Sequence, residues 1–234
     1  MSDTIQRFSA RAILFDLDGV LVDSTGSVGR VWRAWAERHR LDAEEVIRAA
    51  HGRRSIETIR ACAPWLDAEA ENEIVEQAEI DDTRDLTVIA GAGQLLTILP
   101  AERWAVVTSG TRALATSRLR AAGLPIPKAL VTANEVTNGK PSPEPYLTGA
   151  ELLGYAAADC LVIEDTPPGI ESAHAAGMKC VALLTTYATD KLTAADAIIR
   201  DLRDISISLA HCTRSLILHV ATAHSEFEAL RGAR

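Results

Sequence analysis

Short, unbroken apolar runs punctuate this chain at wide intervals. Arg11–Asp16 (RAILFD) is the first, and similar runs recur at Trp104–Thr108, Ala129–Thr132, Cys160–Glu164 and Lys179–Leu184, with a weaker one at Ala197–Ile199. Runs of this length without polar alternation predict strands buried on both faces, as in parallel sheets. Between them the apolar spacing becomes helical. Thr111–Ala121 runs up to Gly123, Pro143–Leu153 carries proline in its first turn, and Pro168–Ala176 stops at Gly177. Proline at a helix start and glycine just past its end are the usual punctuation. Strand and helix alternate, which predicts an α/β domain built on a parallel sheet.

Residues 24–91 break the alternation. They contain no convincing strand and read as helices over Ser27–His39, Ala43–Ala50, Ser55–Ala63 and Asp67–Asp81, with Trp32, Trp35, Ile47, Ile56, Ile59, Trp65 and Ile74 supplying apolar faces. One buried strand precedes this block and the next follows it. The pattern therefore predicts a helical insert at 24–91, hinged near Asp23–Ser24 and Gly91–Gly93, in a core made of 1–23 and 92–234. The last thirty residues are less patterned: Ser215–Val220 suits strand or helix, and Ser225–Leu230 looks helical.

Composition narrows the classes. The 234 residues are 47% hydrophobic and 24% charged, average for a globular chain and long enough to bury a core without staples. The net charge of −8 argues against nucleic acid as a partner, since phosphate neutralisation needs clustered cations, but leaves room for a small anion in a local field. Cys62, Cys160, Cys180 and Cys212 are widely spaced and form no CxxC pair, which disfavours a zinc ribbon or a redox motif. Met1–Ala10 is polar and lacks the core of a secretory leader. No run approaches the ~18 apolar residues of a membrane span. The expected setting is the reducing cytoplasm, with no membrane partner.

Four constellations carry candidate chemistry, each at the end of an apolar run. Asp16-Leu17-Asp18-Gly19 sends two carboxylates to one side by period-two alternation. Two close acids repel unless a proton or a hard cation such as Mg²⁺ lies between them. The same residues also suit an ordinary turn. Val107-Thr108-Ser109-Gly110 offers a hydroxyl and the free amides of a helix start, a cradle for phosphate or simply a cap. Gly139-Lys140-Pro141-Ser142-Pro143-Glu144-Pro145 confines a lysine among prolines, either aimed at a phosphate oxygen or solvated in a turn. Glu164-Asp165-Thr166-Pro167 adds two acids, as cation ligands or as favourable charges at a helix N-terminus. Ligands of parallel α/β sheets gather at the carboxyl ends of the strands, where all four fall.

Taken together, Asp16-Leu17-Asp18-Gly19-Val20, Thr108, Lys140 and Glu164-Asp165 resemble the four-motif signature of the haloacid dehalogenase superfamily. The resemblance extends to about residue 204. Phe15 through Ser24 and Gly139-Lys140-Pro141 through Tyr146 resemble its beta-phosphoglucomutase and sugar-phosphate phosphatase branch. It implies a Rossmann-like parallel sheet core with an inserted α-helical cap domain. By position it makes Asp16 the nucleophile that becomes an aspartyl phosphate, and Asp18 the acid and base. Thr108 and Lys140 hold the phosphoryl oxygens, helped by Ser109 and Gly110. Mg²⁺ is implied at Asp16, the backbone carbonyl of Asp18 and Asp165, with Glu164 in support.

Dehalogenase members lack the second acid, so Asp18 points to phosphoryl transfer. Mutase members usually carry a cap histidine soon after the first motif, where this chain has Thr25-Gly26-Ser27-Val28-Gly29. Its cap loop, His51-Gly52-Arg53-Arg54-Ser55, is more similar to that of sugar- and polyol-phosphate phosphatases. His51, Arg53 and Arg54 are the cap candidates for substrate contact, or else a solvated helix start. The expected partner is a small phosphorylated metabolite, met by a monomer or small homo-oligomer. A phosphosugar mutase and a non-catalytic binding module are the alternatives.

Overall fold

The computed structural model describes residues 4–210 and 215–222. Its centre is a six-stranded parallel sheet formed by β2 (Ala12–Phe15), β5 (Trp104–Val107), β6 (Ala129–Val131), β7 (Cys160–Glu164), β8 (Lys179–Leu183) and β9 (Ala197–Ile199). The spatial order is β6-β5-β2-β7-β8-β9. Counted within the sheet alone this is 3-2-1-4-5-6, the doubly wound Rossmann order. The switch point lies between β2 and β7, which pair Ala12 with Cys160 through Phe15 with Ile163.

The apolar runs are continuous because alternate residues feed two cores. Ile13, Phe15, Val106, Leu161, Ile163 and Val181 face one side, where α5 (Ala92–Ile98) and α6 (Arg112–Ala121) pack. Leu14, Ala105, Val107, Val162, Cys180 and Ala182 face the other, against α7 (Glu144–Leu153) and α8 (Pro167–Ala175). Thr111 caps α6 and Thr166 caps α8, each accepting a backbone N–H from inside its helix.

A second, antiparallel sheet was not legible in the pattern. It joins β1 (Thr4–Ala10), β11 (Ser215–Thr222) and β10 (Ile205–Ala210) in that order. Leu216, Leu218 and Val220 carry the alternation in β11, which settles Ser215–Val220 as strand, while β1 contributes only Phe8 and Ala10 to the core. Ile5 faces the opposite way and is exposed, so the first ten residues read as polar. Ser225–Leu230 lies outside the described residues.

Between β3 (Val22–Asp23) and β4 (Thr87–Val88) the chain forms α1 (Thr25–His39), α2 (Ala43–Ala50), α3 (Ser55–Cys62) and α4 (Ala68–Asp81). These helices surround their own cluster, in which Trp32, Trp35, Val46, Ile59 and Val75 are buried. Asp42 and Asp67 cap α2 and α4 by accepting the Glu45 and Ala70 amides. Trp65 and Ile74 are exposed rather than part of this core. Trp65 sits in the α3–α4 connection, and Val75 takes the inward position that its neighbour Ile74, about 100° round the helix, leaves. The two chain passages into the cap pair with each other, Val22 with Val88 and Asp23 with Thr87. Among the described residues no helix is long and apolar enough to cross a membrane, and Cys62, Cys160 and Cys180 are free thiols.

Candidate active site

The carboxyl ends of β2, β5 and β7 open under the cap. Asp16 continues β2, its amide donating to Ile163 at 3.0 Å. Leu17 turns into the core and Asp18 returns to the cavity side, as the period of two requires. A tight turn follows, closed by Gly19 N–H to Val22 at 2.8 Å. Gly19 has φ +78°, and a Cβ there would lie 2.0 Å from Asp165 Oδ2. Only glycine lets this turn press against the second acid pair.

Lys140 reaches in from the loop after β6 and is 1% exposed. Its Nζ donates to Asp16 Oδ1 at 2.5 Å, to Glu164 Oε1 at 2.6 Å and to the Val107 carbonyl at 3.2 Å. Those three bonds use all its protons. Glu164 is equally committed. Oε1 also accepts from the Tyr146 hydroxyl at 3.0 Å, and Oε2 accepts from the Asp165 and Thr166 amides and the Thr166 hydroxyl. Glu164 thus anchors Lys140 from behind and does not line the cavity. Asp165 is different. Oδ2 accepts from the Thr186 hydroxyl, while Oδ1 is buried without a partner.

These acids are electrostatically strained. Burial pushes the Asp16 carboxyl up to about 7, against the pull of Lys140 and with repulsion from Glu164 and Asp18. Asp165 is raised well above its ordinary value by burial and then by Glu164 and Asp16. Burial would raise Glu164 as well, but Lys140 and the two amides bring it below its ordinary value. Burial would likewise lower Lys140, and its two carboxylates more than reverse that. Asp16, Glu164 and Asp165 each place an oxygen within 4.8 Å of the others. An unpartnered buried carboxylate oxygen beside a repelling neighbour fits a hard divalent cation.

A pH dependence follows. A carboxyl whose folded pKa is raised binds more protons folded than unfolded, so stability falls as pH rises between the two values. Asp16, Asp165 and Glu79 all shift this way; His51, lowered by burial, works in the opposite direction as a single group. Without divalent cations the melting temperature is expected to fall from pH 5 to 7, and Mg²⁺ to lessen the fall. Fluorimetric melts with EDTA or Mg²⁺ measure it, and a curve that rises over this window would contradict the assignment.

A cavity of about 70 Å³ lies over Asp16. Asp18, Thr108, Ser109, Gly110 and Asp165 line it from the core, and His51, Gly52 and Arg53 from the cap. Asp18 Oδ1 accepts from Ser24 and Oδ2 from Arg118 Nη1, both at 2.7 Å. Thr108 Oγ1 accepts the Gly110 amide at 3.1 Å, so that amide is already occupied. Ser109 donates to the Gly52 carbonyl at 3.0 Å, tying core to cap. Gly52, at φ +75°, passes so near that a Cβ would meet Thr166 Oγ1 at 2.5 Å. Arg54 is not among the lining residues. It pairs with Glu57 and donates to the Val136 carbonyl at 3.4 Å, a second tie between cap and core.

The family model for haloacid dehalogenase-like hydrolases matches residues 10–177. The chain belongs to this family. It is 41% identical over 203 residues to Hexitol phosphatase A of Escherichia coli (strain K12), covering 85% of this chain and 94% of that one. Glycerol-1-phosphate phosphohydrolase 2 of Saccharomyces cerevisiae (strain ATCC 204508 / S288c) is 37% identical over 193 residues, 77% of each chain. A crystal structure of a hydrolase from Pseudomonas syringae superposes with a TM-score of 0.75 at 28% identity, over 83% of this chain and 95% of that one.

In this haloacid dehalogenase-like hydrolase several cavity residues escaped the motif reading. Arg118 occupies the inward stripe of α6 with Leu114, Ala115 and Leu119. Glu79 occupies that of α4, one turn after Val75. A charge on an apolar stripe is the signal that finds them, because burying one demands a partner. Thr186, which also lines the cavity, carries no such signal, and Ser24 and Tyr146 fall inside the motif segments with nothing in their residue type to mark a role.

Proposed function

We propose that this enzyme hydrolyses the phosphate monoester of a small sugar or polyol, with Asp16 as nucleophile. The observation that carries the reading is the pairing of Asp16, held by Lys140, with Asp18 across one cavity beside the unpartnered Asp165 Oδ1. The bacterial and yeast relatives, a hexitol phosphatase and a glycerol-1-phosphate phosphohydrolase, support the substrate class.

Lys140 engages Asp16 through Oδ1 and leaves Oδ2 for phosphorus. As Oδ2 forms its bond to phosphorus, the ester P–O bond breaks and Asp18 gives its proton to the departing alcohol. Asp18 then takes a proton from water, which attacks the same phosphorus and returns Asp16 as a carboxylate. The Thr108 hydroxyl and the positive charge of Lys140, whose protons stay on Asp16, Glu164 and the Val107 carbonyl, stabilise the charge on the phosphoryl oxygens. Mg²⁺ held by Asp16, Asp165 and the Asp18 carbonyl supplies positive charge against the phosphate dianion when bound. The cap, residues 24–91, closes over the site through Gly52 and Arg54 and excludes bulk water. Arg53 contributes cap-side positive charge to the cavity. The free thiols favour a cytoplasmic setting.

A screen of sugar, polyol and nucleotide monophosphates with Mg²⁺ tests this. Free phosphate is expected from sugar and polyol esters, with a hexose 1-phosphate yielding hexose rather than an isomer. Excess EDTA should stop release, and undiminished hydrolysis in EDTA would contradict the cation's role.

A further inference from the structure

Beyond the phosphoryl site the cavity holds two charged side chains that face each other across the cap–core boundary. Arg118 enters from α6 in the core and Glu79 from α4 in the cap, and both line the cavity that contains Asp18. They are 3% and 6% exposed. Arg118 Nη1 donates to Asp18 Oδ2 at 2.7 Å. Nη2 stands 3.5 Å from Glu79 Oε1, and both Nη2 and Nε lack a hydrogen-bond partner. Unmet donors on a buried guanidinium are costly, and a cavity beside them is where a ligand relieves the cost.

The chemistry of that ligand is constrained. A second anion would meet Glu79 and Asp18, the two carboxylates that flank Arg118. An apolar group would leave the donors unmet. A hydroxyl suits both sides, since it accepts from Nη2 and donates to Glu79. Its place is constrained as well. Nη1 and Nη2 belong to one planar guanidinium, and Nη1 is fixed on the acid that serves the ester oxygen. Nη2 therefore reaches an atom close to that oxygen. Val28 and Leu114 provide an apolar wall for the carbon chain, while the Trp32 indole N–H donates to Glu79 and leaves that carboxylate further acceptor sites.

We propose that Glu79 and Arg118 form a hydroxyl-recognition subsite, which selects phosphate esters carrying a free hydroxyl next to the phosphorylated carbon over their deoxy counterparts. This rests on the phosphatase reading above and assigns its alcohol specificity to two residues. Because the hydroxyl spans a core donor and a cap acceptor, a hydroxylated substrate also favours the closed cap.

The test compares glycerol 1-phosphate with propyl phosphate, which has the same carbon chain and no hydroxyl, in the presence of Mg²⁺. In the wild type kcat/KM should favour the glycerol ester by at least about 10²-fold. Glu79→Gln should shrink that ratio about tenfold, mainly through loss on the glycerol ester. A wild-type ratio near one overturns the subsite and leaves the phosphatase reading intact, and this arm needs no variant to fold. Equal losses on both esters in Glu79→Gln also overturn it, reducing Glu79 to a structural residue. Absence of phosphate release from every ester tried would instead refute the phosphatase reading and the subsite with it.

Discussion

Asp16→Asn should lower phosphate release by on the order of 10⁴ or more while the protein stays folded. The amide keeps the shape and still offers Lys140 an oxygen, so the bond that measures 2.5 Å in the native site has a successor. What it removes is the charge and nucleophilicity of Oδ2. Stability gives an independent reading. Burial raises the Asp16 carboxyl to about 7, so the native carboxylate is held in place against its own desolvation. A neutral asparagine escapes that cost, and the variant should melt no lower than the wild type at pH 7. Parallel activity assays and thermal melts check both halves. An active variant would refute the nucleophile, and an unfolded one would show that Asp16 is structural.

Lys140→Met should have the opposite profile, losing activity and stability together. Lys140 Nζ lies 2.5 Å from Asp16 and 2.6 Å from Glu164, and neither carboxylate has another cation within ion-pair reach among the described residues. Removing one partner of a buried ion pair costs about 3–5 kcal/mol. For a chain of this size that is roughly 6–20 °C in melting temperature. The loss should also depend on pH. Without Lys140, burial raises both carboxyls, so each binds a proton more readily folded than unfolded. The variant's deficit then shrinks as pH falls from above 7 towards the ordinary carboxylate range, as the folded acids take up protons. Melts at pH 5 and pH 8 measure the difference, and a variant as stable as the wild type at pH 8 would contradict the picture of Lys140 as the buried counter-charge.

The parts of the molecule that were legible in sequence share one property. The central strands are buried on both faces, so β2, β5 and Cys160–Ile163 of β7 are unbroken apolar runs, and Asp16, Thr108 and Glu164-Asp165 follow directly on the last apolar residue of each. Strand ends and motifs therefore locate each other. Lys140 was legible through its prolines, although not its depth beneath Asp16. The antiparallel sheet was hidden because β1 buries little beyond Phe8 and Ala10, and its partners lie some two hundred residues away in sequence. The distinct duties of Glu164 and Asp165 were hidden because adjacent acids look alike until their hydrogen bonds are seen. One is saturated by Lys140, Tyr146 and backbone amides, and the other keeps a bare oxygen. The same holds for Arg53 and Arg54, neighbours in the cap loop of which only Arg53 lines the cavity.

The cap's two roles, shielding and selection, rest on different contacts. Shielding depends on backbone fit, with Gly52 against Thr166 and its carbonyl on Ser109. Selection, on our inference, depends on Glu79 meeting Arg118. Both leave the reacting atoms to the core, where the order of bond making and breaking is decided.

That order is open to one direct measurement, the stereochemical course at phosphorus, followed with a thiophosphate ester made chiral by two oxygen isotopes and hydrolysed in water carrying the third. Two successive in-line displacements, first by Asp16 and then by water, each invert the phosphorus and together return overall retention. Inversion would mean that water attacks the ester in a single step, and Asp16 would not be the nucleophile.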